Sequence, residues 1–247
     1  MKNIGLTLLF VVSLATAANA QVGIEMGLNM ANLAIKENGS TLKTKFKPGF
    51  GIGIPADLAV APHVYFEPGL FYEMTGAKIA DVYTGKYRIN TITVPLNIEI
   101  KTGEKCGNRF FIGIGPYIGY NVGGSVTNDG DSNYNATSTT IKFDNAAGDL
   151  KSIEFGAGLN FGFQLKIRLY ARAHYQIGLT DLNATSDANN TLKSSAFGIT
   201  VGYLFGRCDP YARVAGFGTG AGDHWRGMSK SKYSRKPRHM RNRAPGY

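Results

Sequence analysis

Beyond its first twenty residues the chain has no apolar run of 18 residues, the length at which a transmembrane helix becomes the expected reading. A membrane protein of this composition must therefore cross as a closed β-barrel, because lipid tolerates no unpaired backbone groups. Cysteine (two) and histidine (four) are scarce and show no metal-ligand spacing, so neither a metal nor a cofactor is expected. Charged residues make up only 18% of the chain, and tryptophan occurs once. Gly216 to Gly222 is glycine-rich but lacks the lysine-serine ending of a phosphate-binding loop; it reads as a flexible linker.

What the chain does have is glycine (32), tyrosine (13) and phenylalanine (14). In residues 153–163 apolar side chains fall on alternate positions: Ile153, Phe155, Ala157, Leu159, Phe161 and Phe163. Glu154, Gly156, Gly158, Asn160 and Gly162 lie between them. That period of two marks a strand with one greasy face and one polar or very small face. The same pattern recurs at about 22–33, 47–58, 64–78, 87–101, 109–122, 168–182 and 195–205. Long gaps (34–46, 79–86, 123–149, 183–194) alternate with short ones (59–63, 102–108, 165–167), as in outer-membrane barrels with short periplasmic turns and long outer loops. The N-terminus agrees. Lys2 precedes an apolar stretch from Ile4 to Ala17, and Ala18-Asn19-Ala20 has the small-x-small form of a signal-peptidase site. Cleavage is predicted between Ala20 and Gln21.

The fold class is thus all-β: an eight-stranded antiparallel up-and-down transmembrane barrel over 21–206, with a signal peptide at 1–20 and a disordered basic tail at 207–247. A soluble lipocalin-like barrel would carry the same alternation with its greasy face inward, and periodicity alone does not separate the two.

Several strings carry a family resemblance. "GLNMANL", "KPGFGIGIPADLAV", "VYFEPGLFYEMTGAK", "INTITVPLNIEIK", "FFIGIGPYIGY", "LYARAHYQIGLTDLN" and "FGITVGYLFG" occur in order from Val22 to Gly206. As a set this resembles the PorT-like outer-membrane β-barrel family of Bacteroidetes. The resemblance implies an eight-stranded barrel exported to the outer membrane. It implies little about activity. The namesake acts in the type IX secretion system, and the resemblance does not by itself transfer that role.

The polar face collects Glu25, Asp57, Glu67, Glu73, Glu99, Glu154, Arg168 and Arg172, with His174 and Gln176. An eight-stranded lumen is just wide enough to be filled by side chains, so Glu25, Glu67, Glu99, Arg168, Arg172 and His174 are expected to form a charge network across it. Two readings stay open: a structural plug, or a narrow ion path. No Ser/His/Asp set gathers at one lip, which argues against an enzyme. Cys106 falls in the second short turn and Cys208 just past the last strand. Both belong to one rim in an oxidising compartment. A disulfide joining them is expected; a bond to a partner protein or two free thiols are the alternatives.

Net charge is +10, but residues 207–247 hold ten Lys/Arg against two Asp, while 21–206 are nearly balanced. Trp225, Lys230, Lys232, Arg235, Lys236, Arg238, Arg241 and Arg243 form the candidate binding tail. Basic runs bind polyanions. Nucleic acid is not expected in the periplasm; anionic lipid, peptidoglycan or a periplasmic protein are the better candidates, with a merely solvated tail as the alternative, and the barrel itself partners outer-membrane lipid. The expected function is non-enzymatic: an anchor or scaffold for periplasmic partners, in a type IX secretion-like system. The alternatives are an enzyme or ligand binder at the outer loops, and a narrow pore.

Overall fold

The computed structural model describes residues 21–37, 39–80, 84–103, 106–128, 137–143, 150–183 and 190–206. The signal peptide with its Ala20 cleavage site, Cys208 and the basic tail lie outside the described residues. The chain divides into Met1–Ala215, which contains the barrel, and Gly216–Tyr247.

The alternating segments form β1 (Gln21–Glu37), β3 (Thr44–Ala61), β4 (Val64–Ala80), β5 (Thr84–Lys101), β6 (Arg109–Asn128), β8 (Ile153–Gln164), β9 (Leu169–Gly178) and β10 (Thr191–Leu204). Two short strands, β2 (Ser40–Thr41) and β7 (Thr137–Thr140), pair with β1 and β6. The eight long strands pair antiparallel with their chain neighbours. β10 returns to β1 in continuous register from Gly23↔Leu204 to Lys36↔Thr191, which removes both sheet edges. The chain forms an all-β antiparallel closed barrel of eight long strands.

Burial settles which face is inside. Leu28 (71% exposed), Ile199 (67%) and Phe110 (66%) point outward, while Glu25 (2%) and Glu99 (0%) are enclosed. A soluble barrel would show the reverse. The apolar outer face is the surface lipid requires, and the lipocalin-like alternative is set aside.

Three expectations about the elements are corrected. β6 runs to Asn128, six residues beyond the expected end, because its last turn gains a partner in β7. Most of the 34–46 gap is hairpin ladder rather than loop. The 168–182 strand starts only at Leu169, because Arg168 adopts φ 71° and turns the chain, and it ends at Gly178.

Candidate functional site in the lumen

The alternation sends one polar residue inward at every second position, and antiparallel register brings those positions level across strands. At the short-turn end they converge on Arg172 of β9. Its guanidinium lies 2.5 Å from Glu67 Oε2 (β4), 3.3 Å from Glu25 Oε2 (β1) and 3.3 Å from Glu99 Oε1 (β5). Lys101 of β5 lies 2.7 Å from Asp57 Oδ2 (β3) and 3.2 Å from Glu99 Oε2. Tyr170 Oη donates to Glu25 Oε2 at 2.6 Å, and Thr200 Oγ1 donates to Glu25 Oε1 at 2.5 Å. Arg109 donates to Tyr65 at 2.8 Å and Gln164 at 3.0 Å. All these groups are buried, and burial of charge on this scale requires such pairing.

Aromatic plates fill the remaining space. Phe111 and Tyr170 meet edge to face at 6.2 Å, and Arg172 lies 5.4 Å from both ring centroids. Leu204 packs with both rings. Each ring rests on a bare glycine: a Cβ on Gly162 would overlap the Phe111 ring, and one on Gly202 would overlap the Tyr170 ring.

Of the expected network, Glu25, Glu67, Glu99 and Arg172 are brought together. Arg168 is not in it. Its φ of 71° places it in the β8–β9 turn, where it donates to Tyr203 Oη at 3.0 Å and lies 5.4 Å from that ring's centroid, on the outer face. His174 also makes none of the ion pairs; it lines a polar cavity above them, with Nε2 lacking a protein partner. Sequence reasoning missed Lys101 and Arg109. The signal was available, since Lys101 continues the inward series Asn97, Glu99, and Arg109 begins the series of Phe111 and Gly113.

Asp57, Glu67 and Glu99 bring carboxylate oxygens within 4.8 Å of one another, a spacing that could hold a cation. Lys101 Nζ and the Arg172 guanidinium already pair with these same three carboxylates.

Further up, Glu73 accepts from Thr93 at 2.7 Å. Glu154 accepts from Tyr117 at 2.9 Å and from Ser194. The cavity here measures about 50 Å³ and is lined by Asn29, Glu73, Tyr117, Asn160, His174 and Gln176 among others. That is far below the ~300–1,000 Å³ of a small-molecule site. At the long-loop end the inward residues turn apolar: Leu33, Ala77, Ile89, Leu182 and Leu192 form a cluster, joined by Ile141, Phe143 and Leu150. A charged and aromatic floor and an apolar ceiling enclose a small polar space.

A barrel with a lipid-facing apolar belt and a filled polar lumen is an integral outer-membrane protein. The chain belongs to the outer membrane protein beta-barrel domain family, whose model matches residues 15–184. No curated protein matches it. Among solved structures it is similar to Neisserial surface protein A (11% identity, 75% of this chain and 99% of that one, TM-score 0.40). It is also similar to OprG of Pseudomonas aeruginosa (13%, 76% and 97%, TM-score 0.40) and to Ail of Yersinia pestis (13%, 75% and 99%, TM-score 0.38).

Proposed function

We propose that this barrel is a non-enzymatic membrane anchor that scaffolds periplasmic partners through its basic C-terminal segment. The lumen carries the reading: it is closed by ion pairs and rings at one end and by aliphatic side chains at the other, so the working surfaces are elsewhere. By the usual asymmetry the short turns face the periplasm. This sets Cys106 on the side from which residues 207–247 leave the barrel. Cys106 is not a free thiol, and a Cys106–Cys208 bond would tether the root of the tail beneath the pore mouth. The resemblance to PorT-like barrels makes a type IX secretion-like machine the candidate setting, with peptidoglycan, anionic lipid or an acidic periplasmic protein as the tail's partner.

The test is to purify the full chain and a variant lacking residues 216–247 from outer membranes, and to record planar-bilayer conductance for both. A scaffold loses its co-purifying partner on deletion, while both forms stay at background conductance. Stable single-channel openings in either form would replace this reading with the pore.

A further inference from the structure

The enclosed charges of the barrel do not balance. Among the described residues, six buried carboxylates (Glu25, Asp57, Glu67, Glu73, Glu99, Glu154) face three buried cations (Lys101, Arg109, Arg172). Four of the carboxylates pair with Arg172 and Lys101 on the floor. Glu73 and Glu154 have neutral partners instead: Thr93 and Gln176 for the first, Tyr117 and Ser194 for the second. Uncompensated charge is costly to enclose.

Glu73 lines the polar cavity of about 50 Å³ above the floor, and so do Asn29, Asn160 and His174. Asn29 and Asn160 are each only 3% exposed, yet Asn29 Oδ1, Asn160 Oδ1 and His174 Nε2 have no hydrogen-bond partner. Register sets the three side chains on one ring of the barrel. Asn160 is opposite His174, His174 opposite Gly198, and Gly198 opposite Asn29. Glycine keeps that ring open: a Cβ on Gly198 would overlap the His174 imidazole, and one on Gly49, the next residue round, would overlap Asn29 Oδ1. The space admits about four water-sized particles at ~10–15 Å³ each. Water alone would satisfy the free acceptors and leave the surplus charge. Protons alone would remove the charge and leave the acceptors bare. A cation answers both.

We propose that this cavity is a binding site for one hard divalent cation of the calcium type, held partly hydrated. Glu73 would supply charge, and Asn29 Oδ1 and Asn160 Oδ1 neutral oxygens. Calcium accepts amide oxygens and irregular geometry, and it takes about six to eight ligands, so water completes the shell. His174 Nε2 would accept a hydrogen bond from one of those waters. Arg172 also lines the cavity, but its guanidinium is committed to Glu25, Glu67 and Glu99.

The full chain is refolded from urea into phosphatidylcholine vesicles at graded free CaCl2 or with EDTA, washed, and its bound calcium counted by atomic absorption. Heat-modifiable migration on gels checks that each barrel is folded. The proposal requires one retained calcium per folded chain. It requires the loading midpoint to rise at least about tenfold in Glu73→Gln and in Asn29→Ala. It also requires the calcium-loaded wild type to unfold at higher urea than the EDTA-prepared one, since a ligand of the folded state alone stabilises it. No calcium retained by the folded wild type would overturn the proposal, as would equal urea midpoints with and without calcium. Wild-type loading in both folded variants would place the ion elsewhere and overturn it too.

Discussion

Two arginines four residues apart show what position does to one side chain. Arg172 is enclosed and serves three carboxylates; Arg168 sits in a turn against a tyrosine ring. Removing one partner of a buried ion network leaves uncompensated charge, whereas an exposed stack is worth little. Arg172→Met should therefore cost about 3–5 kcal/mol and Arg168→Ala no more than about 1 kcal/mol, measured as urea unfolding in lipid vesicles. Adding Glu67→Met to Arg172→Met should restore part of the loss, because the carboxylate nearest the missing guanidinium is also gone. An unchanged midpoint for Arg172→Met would show that the lumen charges do not hold the floor together.

The strands themselves are legible in the sequence, and their limits are not. A period of two survives any strand length and reports facing, so the alternation alone places all eight staves and puts Glu25, Glu67, Glu99 and Arg172 on one face. It is blind to which face is inside, which exposure of Leu28 and burial of Glu99 decide. It also fails where the backbone leaves the strand: the positive φ of Arg168 breaks the parity that would assign it to the lumen. The apolar ceiling is out of reach, because Ile141 and Phe143 come from what reads as a polar loop, Leu150 from just past it, and they find Leu33 and Ile89 only once the barrel closes. The inward glycines are a further case in which type is legible but purpose is not. On β8, Gly162 lies under Phe111, and a Cβ there would also overlap the Ala171 carbonyl oxygen; Gly158 has only ordinary contacts, at 3.8 Å and beyond. Gly162→Ala should cost about 1–3 kcal/mol through overpacking, while Gly158→Ala should be neutral or slightly stabilising. Equal effects would mean that the aromatic plates do not depend on their glycine seats.

At the scale of the whole molecule, closure is the property on which everything else rests. The seam between β1 and β10 runs from Gly23↔Leu204 to Lys36↔Thr191, and the Phe205 amide donates to the Val22 carbonyl at 2.7 Å beyond it. The barrel is thus complete by Phe205, and every lipid-facing ladder has a partner. A chain ending at Gly206 should assemble in the outer membrane and show the same heat-modifiable gel shift as the full chain. A chain ending at Gly178, lacking β10, leaves β1 and β9 with open edges facing lipid. Each unpaired backbone group in hydrocarbon costs several kcal/mol, and β10 pairs along most of both strands. The total far exceeds the roughly 5–15 kcal/mol that keeps a domain folded. That shorter chain should never acquire the heat-resistant form and should be degraded. If the Gly206 truncation also failed to assemble, residues after it would be needed to build the barrel, and the tail could not be a separable binding segment.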